Sequence, residues 1–127
     1  MSDTPPPSSA PPILRLRLVF GDTLMLGPGK ADLLDLIGQT GSISAAGRAM
    51  GMSYKRAWLL VEQMNAAFRT PLVISTRGGS KGGGASLTEA GQTVLNHYRT
   101  LEARTAQAGA DQIAALEAML SDMSDGK

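Results

Sequence analysis

The sequence contains no cysteine, which excludes disulfides, thiolate metal ligands and cysteine nucleophiles. Aromatic residues make up only 4% of the 127 residues. His97 is the single histidine, and the sequence pattern indicates neither a pair of carboxylates nor a set of metal ligands. No apolar run approaches the roughly 20 residues of a membrane span, and the first twelve residues lack the basic start and apolar middle of a signal peptide. We therefore expect no catalytic residues, no metal site, no cofactor and no membrane contact, in a protein of the cytoplasm.

Charge is present in both signs but unevenly placed. The chain carries a net charge of +1. Between Ser42 and Arg104, eight basic residues stand against three acidic ones, a net charge of +5, and the remaining chain holds four basic residues against eight acidic ones, a net charge of −4. A basic centre between acidic flanks is typical of a domain that binds a polyanion, although a solvated surface of scattered charges gives the same numbers.

The amino-terminal third predicts a tail, a hairpin and a helix. Residues 1–12 are rich in proline and serine without apolar periodicity, which indicates a disordered tail. Residues 13–20 alternate between apolar and polar side chains, as a half-buried strand does, and a turn at Gly21 leads into a second short strand over residues 23–26. Residues 30–39 then show helical spacing of leucine and isoleucine.

Two short helices meeting at a glycine are the next feature. Ser42 or Ser44 can cap the first helix, and Gly51 can end it in the left-handed conformation, which glycine adopts with little strain. Ser53 can cap a second helix that reaches about Phe68. This arrangement is typical of a helix-turn-helix, although other antiparallel helical hairpins share it.

The second helix separates into two faces when its residues are placed at about 100° each. Its first turn carries Lys55 and Arg56, whose charges oppose the helix dipole and so indicate another role there. We expect Arg56 to read base edges, and Tyr54 and Trp58 to pack in the core more readily than to stack on bases. The predicted core face consists of Tyr54, Ala57, Trp58, Val61, Met64, Asn65 and Phe68, and the predicted outer face of Lys55, Arg56, Leu59, Gln63 and Ala66.

A glycine-rich hairpin follows. Residues 72–76 and 85–87 read as two strands, and the loop between them carries the two cations Arg77 and Lys81 among glycine and serine. Such a hairpin can lie on a sugar-phosphate backbone as a wing. Lys81 does not stand in a nucleotide-binding Gly-Lys-Ser/Thr setting, and a ligand-free hairpin is the alternative. The complete set of predicted DNA-binding residues is Ser42, Ser44, Ser53, Tyr54, Lys55, Arg56, Leu59, Gln63, Arg77 and Lys81.

A long helical region begins near Thr88 and is interrupted at Gly109. Its apolar seam exceeds what a small domain needs to cover its core, which predicts packing on a second copy. A helix folded back on its own domain is the alternative. The predicted dimer-interface residues are Val94, Tyr98, Leu101, Thr105 and Ala108, and the predicted divisions are a tail over 1–12, the domain over 13–108 and a helical extension over 109–127.

These elements predict an α+β, mostly α fold: a winged helix-turn-helix with a small amino-terminal β-hairpin and a long carboxy-terminal dimerisation helix. The start at Gly41–Ser44, the Ser-Tyr-Lys-x-Ala-Trp run at Ser53–Trp58, the Met64–Asn65 pair and the Gly-Gly-x-Lys-Gly-Gly-Gly wing closely resemble the amino-terminal domain of the ModE family. These proteins are molybdate-responsive transcriptional regulators related to LysR-type domains. The resemblance covers roughly Leu14 to Leu101.

The resemblance implies sequence-specific binding of double-stranded DNA by a homodimer that reads a palindromic operator in molybdenum metabolism. Full-length members of the family carry molybdate-binding barrel domains after this region, whereas the sequence here stops at Lys127. We therefore expect a single-domain version, for which a separate molybdate-binding protein or a full-length regulator would be a partner. An alternative is an interaction protein that forms heterodimers with a full-length regulator through the long helix.

Overall fold

The computed structural model describes residues 11–76 and 84–121. They fall into two compact units, of which one is Arg15–Thr100 and the other combines residues 11–14 with 101–121. Within the described ranges, no helix is long and apolar enough to cross a membrane. The elements are β1 (Leu18–Phe20), β2 (Leu24–Leu26), α1 (Pro28–Thr40), α2 (Ile43–Ala49), α3 (Tyr54–Ala67), β3 (Val73–Thr76), β4 (Gly84–Leu87), α4 (Glu89–Ala108) and α5 (Ala110–Ala118).

The amino-terminal hairpin is shorter than its alternating sequence predicts. β1 and β2 pair antiparallel from Leu18 opposite Leu26 to Phe20 opposite Leu24, and no further pairs extend the ladder among the described residues. The two leucines of β2 are buried, whereas Phe20 is half exposed. The predicted strand from residue 13 was therefore too long, because alternation alone does not supply a partner strand for residues 13–17.

The first helix supplies the centre of the core. α1 begins with Pro28, whose fixed φ suits the first helical position, and ends at Gly41, whose amide donates to the carbonyl of Ile37. Its core-facing residues Ala31, Leu33, Leu34 and Ile37 are fully buried. Around them pack the buried side chains of α2, α3, β2, β3 and α4.

The helix-turn-helix forms as predicted. Ser42 caps α2 by accepting from the amide of Ala45, and Ser53 caps α3 by accepting from the amide of Arg56. Gly51 adopts φ +72° between the two helices, a conformation that glycine takes without strain. α2 and α3 cross closely, since a Cβ added to Gly47 would lie 2.9 Å from the Cβ of Ala57.

Two residues of α3 are placed differently from the predicted core face. Tyr54 is 58% exposed, whereas Leu60, which the prediction omitted, is only 7% exposed. The buried stripe runs through Ala57, Leu60, Val61 and Met64, so its centre is rotated away from Tyr54. Tyr54 thus lies at the edge of the stripe in the first turn and is left in solvent.

The strands that flank the glycine-rich loop form the stem of a wing. β3 and β4 pair antiparallel from Val73 opposite Leu87 to Thr76 opposite Gly84. The amide of Ala85 also donates to the carbonyl of Gly41 at 2.9 Å, which joins the stem to the end of α1. Residues 77–83, including the predicted contacts Arg77 and Lys81, lie outside the described residues.

The long helix contributes to the first unit through its amino-terminal half. Tyr98 is buried there, and its hydroxyl donates to the carbonyl of Leu16. Arg99 pairs with Asp32 of α1 at 2.8 Å and lies 3.6 Å from Asp35. The Tyr98 bond joins α4 to the segment before β1, and the Arg99 pairs join it to α1. The mostly α, winged helix-turn-helix fold is confirmed.

The second unit consists of the end of α4, α5 and residues 11–14. The predicted break at Gly109 is present, because α4 ends at Ala108 and α5 begins at Ala110. No residue of α5 is buried. Three large apolar side chains at its end, Leu116, Met119 and Leu120, are mostly exposed.

Candidate nucleic-acid interface

The outer face of α3 is exposed. At about 100° per residue, Lys55, Leu59, Glu62 and Ala66 fall within roughly 60° of one another, opposite the buried stripe. All four are exposed, including Leu59 at 46%. The face is therefore a narrow ridge with a cation, an apolar side chain, an anion and a methyl group along it. The sequence interpretation placed Lys55, Leu59 and Ala66 on this face and omitted Glu62.

The first turn of α3 is held by two local contacts. The Ser53 hydroxyl oxygen accepts from the amide of Arg56 at 3.0 Å, which satisfies one of the free donors at the helix start. The rings of Tyr54 and Trp58 pack edge to face with centroids 6.2 Å apart. Because Trp58 also packs against the core, this pair orients Tyr54 beside the ridge while leaving its ring in solvent.

On the wing side, the ridge borders a shallow depression of about 270 Å³. The starts of α2 and α3 form one wall, and the wing stem forms the other. Four of its lining residues carry small hydroxyl groups, which can donate to phosphate oxygens. Its lining residues are Ser42, Ile43, Ser44, Tyr54, Trp58, Ser75, Thr76, Gly84 and Ala85.

Two of the predicted serine contacts lie in this depression. The Ser42 oxygen is occupied as the cap of α2, at 2.9 Å from the amide nitrogen of Ala45. The Ser44 oxygen accepts from the guanidinium of Arg48 at 3.0 Å. Since both oxygens accept within the protein, each hydroxyl keeps its proton for an outside acceptor.

The wing stem is attached to α3 by one side chain. The Asn65 amide nitrogen donates to the carbonyl of Val73 at 2.9 Å, and its oxygen accepts from the amides of Leu72 at 2.8 Å and Val73 at 3.1 Å. Asn65 therefore fixes the start of β3 relative to the helix that carries the ridge. The sequence interpretation placed Asn65 on the core face without this role, because its partners are main-chain groups that no residue pattern reveals.

On the hairpin side, the ridge borders a cluster of three cations. Arg17, Lys30 and Arg56 line one depression of about 200 Å³, which also contains Met25, Met52 and Leu60. Burial, and then repulsion by Arg56 and Arg17, lowers the pKa of Lys30 from its ordinary value of 10.5. The sequence interpretation missed Arg17 and Lys30, since only the fold brings them to Arg56.

The structure thus brings most predicted DNA contacts onto one side of the helix-turn-helix. Ser53, Tyr54, Lys55, Arg56, Leu59 and Gln63 are all exposed, and Ser42 and Ser44 are half-buried beside them. Gln63 lines a further depression with Lys30 and the tip of the amino-terminal hairpin.

The predicted dimer residues divide between two environments. Val94 packs on the core and Tyr98 is buried in it, so Tyr98 offers no free surface to a partner. Leu101 and Ala108 are exposed, and Thr105 is half-buried.

Comparison with known proteins shows which family and which relatives the sequence resembles. Residues 31–92 match the bacterial regulatory helix-turn-helix proteins of the lysR family. The chain is 46% identical over 82 residues to molybdenum-pterin-binding protein MopB of Rhodobacter capsulatus, covering 65% of this chain and 30% of that protein. It is 41% identical over 70 residues to molybdenum transport protein ModE of Azotobacter vinelandii, covering 55% and 26%. It is 38% identical over 86 residues to the DNA-binding transcriptional dual regulator ModE of Escherichia coli strain K12, covering 68% and 33%.

The chain spans about a third of the length of these relatives. The matched segment runs from α1 to the first turn of α4 and so contains the ridge, the wing stem and both helix caps. Residues 31–92 thus match a helix-turn-helix domain of the bacterial lysR family, in agreement with the resemblance to ModE regulators.

Proposed function

We propose that this protein is a sequence-specific DNA-binding transcription regulator of the cytoplasm, without enzymatic activity. The observation that carries the proposal is the exposed ridge of α3, which projects between the wing stem and the amino-terminal hairpin. An α-helix of this kind fits the major groove of B-DNA, where its first turns reach the base edges.

The ridge residues match distinct base features. Lys55 is suited to the acceptors of guanine, and Leu59 to the methyl group of thymine. Glu62 can accept from the exocyclic amine of cytosine, whereas facing a phosphate would cost it electrostatic energy. These three side chains are therefore the proposed base-reading residues, while the hydroxyls of the wing-side depression contact the backbone.

We further propose that two copies bind one palindromic site. Leu116, Met119 and Leu120 leave a large apolar surface at the end of α5, and Leu101 adds another exposed apolar side chain on α4. Exposed apolar side chains that cluster in this way are typical of protein contact sites. A two-fold dimer would place two recognition helices about one helical turn of DNA apart.

The names of several relatives associate them with molybdenum, and one name describes a transcriptional regulator. This supports the proposal that the genes controlled by the present chain also serve molybdenum metabolism. A genome-wide binding profile recorded with and without molybdate tests it. Binding sites beside genes of molybdenum uptake or use are expected, and sites unrelated to such genes would contradict the link.

Selection from a library of random duplexes with the full chain tests DNA recognition and symmetry together. We expect one sequence to become enriched and to be an inverted repeat. Absence of any enriched sequence would overturn the proposal of specific binding. Enrichment of a single half-site, with a monomer mass in sedimentation, would instead favour the alternative in which the chain pairs with a longer regulator.

A further inference from the structure

The cluster of Arg17, Lys30 and Arg56 joins residues from three separate parts of the fold. Arg17 precedes β1, Lys30 lies in the first turn of α1, and Arg56 lies in the first turn of α3. All three side chains line one depression. None of the three has an ion pair with another described residue, and no described carboxylate lines the depression.

Like charges brought together in this way cost free energy in the unbound protein. Arg56 and Arg17 both act to lower the pKa of Lys30, which shows that each lies near enough to repel its ammonium group. The helix dipole opposes Lys30 further, because a cation in the first turn of α1 lies at the positive end. An anion in the depression would attract all three cations and so offset this repulsion.

The Arg17 side chain lies close to Gly27, the residue before α1. A Cβ added at Gly27 would lie 3.8 Å from both the Cγ and the Nε of Arg17, so the side chain lies across the start of α1 beside Lys30. Met25, Met52 and Leu60 line the same depression, so apolar surface lies beside the three cations. Lys30 is partly buried there, whereas Arg17 and Arg56 are exposed.

We propose that this cluster, the hairpin-side clamp, binds a backbone phosphate of DNA next to the major groove that α3 enters. This inference rests on the proposed function and extends it to Arg17 and Lys30, which lie outside the helix-turn-helix. Because Arg56 belongs to both the clamp and the first turn of α3, a phosphate held there lies at the edge of the groove. Arg56 then anchors the backbone, whereas Lys55 reads the bases.

The clamp predicts a distinct dependence on salt. Each neutralised phosphate contributes about 0.9 to the slope of log affinity against log salt concentration. The double variant Arg17→Gln/Lys30→Gln should therefore reduce the magnitude of the slope by about one unit. The loss of affinity between 50 and 200 mM salt should then be about fourfold smaller than for the wild type. The affinity that the double variant loses relative to the wild type should be similar for an enriched duplex and for its shuffled version, because a phosphate carries no sequence information.

The test measures the anisotropy of a labelled duplex at several salt concentrations with the full chain. Arg15→Gln is the matched control, because it removes one positive charge two residues from Arg17 and does not line the depression. We expect the control to keep the wild-type slope. A double variant with the wild-type slope, or a control that lowers it equally, would overturn the clamp while leaving the proposed function intact. A wild type that binds no duplex would instead remove the proposed function, and the clamp with it.

A second arm separates the DNA backbone from a free anion. Inorganic phosphate is added to the wild type and the double variant while amide resonances of α1 are recorded by NMR. Weak shifts in the wild type that do not saturate by about 10 mM fit a cluster that needs the duplex around it. Saturation below 1 mM together with an unchanged duplex salt slope in the double variant would show a site for a free anion and overturn the proposal. Circular dichroism confirms that each variant is folded.

Discussion

The side chain of Asn65 on α3 bonds to both the carbonyl and the amide of Val73, at the start of the wing stem. The side-chain nitrogen donates to the carbonyl at 2.9 Å and the oxygen accepts from the amide at 3.1 Å. The same oxygen accepts from the amide of Leu72. One side chain thus sets the position of the wing stem relative to the helix that is proposed to read DNA.

Replacing this amide should destabilise the domain. Asn65→Leu keeps the approximate size of the side chain but leaves three partly buried main-chain groups without partners, at about 1 kcal/mol or more for each. We expect the free energy of unfolding to fall by about 2 to 4 kcal/mol, measured by urea denaturation. Gln92→Leu removes an exposed amide from α4 and should change stability by less than about 0.5 kcal/mol. Equal effects of the two variants would contradict the role of Asn65.

The close crossing of α2 and α3 should make Gly47 intolerant of a methyl group. An added Cβ would lie 2.9 Å from that of Ala57, so Gly47→Ala must push the helices apart and should cost about 1 to 3 kcal/mol in thermal or urea unfolding. Gly38→Ala is the matched control within α1, where an added Cβ meets Leu87 at an ordinary 3.4 Å. The control should stabilise the protein by about 0.5 to 1 kcal/mol. A stabilising Gly47→Ala would show that the crossing is looser than described.

Much of this architecture could be predicted from the sequence, because the signals are local. The caps Ser42 and Ser53, the stop at Gly51 and the break at Gly109 all depend on residues within a few positions of each other. Tyr54 could not be placed from the helical period alone, since the period does not give the angle at which the buried stripe is centred, and tertiary packing rotates that centre away from Tyr54.

Only the part of the candidate site that lies on α3 could be predicted from the sequence. The exposed cations and Leu59 of α3 follow from the helical period and the uneven charge. The meeting of Arg17 and Lys30 with Arg56 depends on tertiary packing across 39 positions of the chain, which no local pattern carries. The Asn65 bonds to main-chain groups of Leu72 and Val73 could not be predicted either, because they also depend on tertiary packing.

Lys30 should reduce the stability of the free protein in a pH-dependent way. Burial and then Arg56 and Arg17 lower its pKa below 10.5, so between the folded pKa and 10.5 the unfolded chain binds more protons and stability rises with pH. Lys30→Gln should therefore be more stable than the wild type at pH 7, by less than about 1 kcal/mol because solvent screens the group.

This advantage should be constant below the folded pKa and disappear above pH 10.5. Urea denaturation of both proteins from pH 7 to 11 measures the difference. In an Arg17→Gln background the advantage should be smaller, because one source of repulsion is absent. A difference that is independent of pH would contradict the repulsion within the cluster.

Lys55 and Arg56 are neighbouring cations of α3, and we expect their substitutions to affect DNA binding differently. Lys55→Ala should cost about 1 to 3 kcal/mol on the enriched duplex and much less on its shuffled version, because base contacts carry sequence preference. Arg56→Ala should weaken binding to both duplexes similarly and lower the magnitude of the salt slope, because Arg56 is proposed to contact the DNA backbone. Competition titrations with both duplexes measure the two losses, and the reverse assignment would follow if Arg56→Ala alone relaxed the sequence preference.

The ratio of the dissociation constants for a shuffled and an enriched duplex is the decisive measurement of sequence-specific binding. It is measured with the full wild-type chain at about 150 mM salt, alongside Lys55→Ala. We expect a ratio of at least about 10³ for the wild type, in the range of specific DNA-binding proteins, and a clear decrease for the variant. A wild-type ratio near one, unchanged by Lys55→Ala, would contradict sequence-specific recognition by α3.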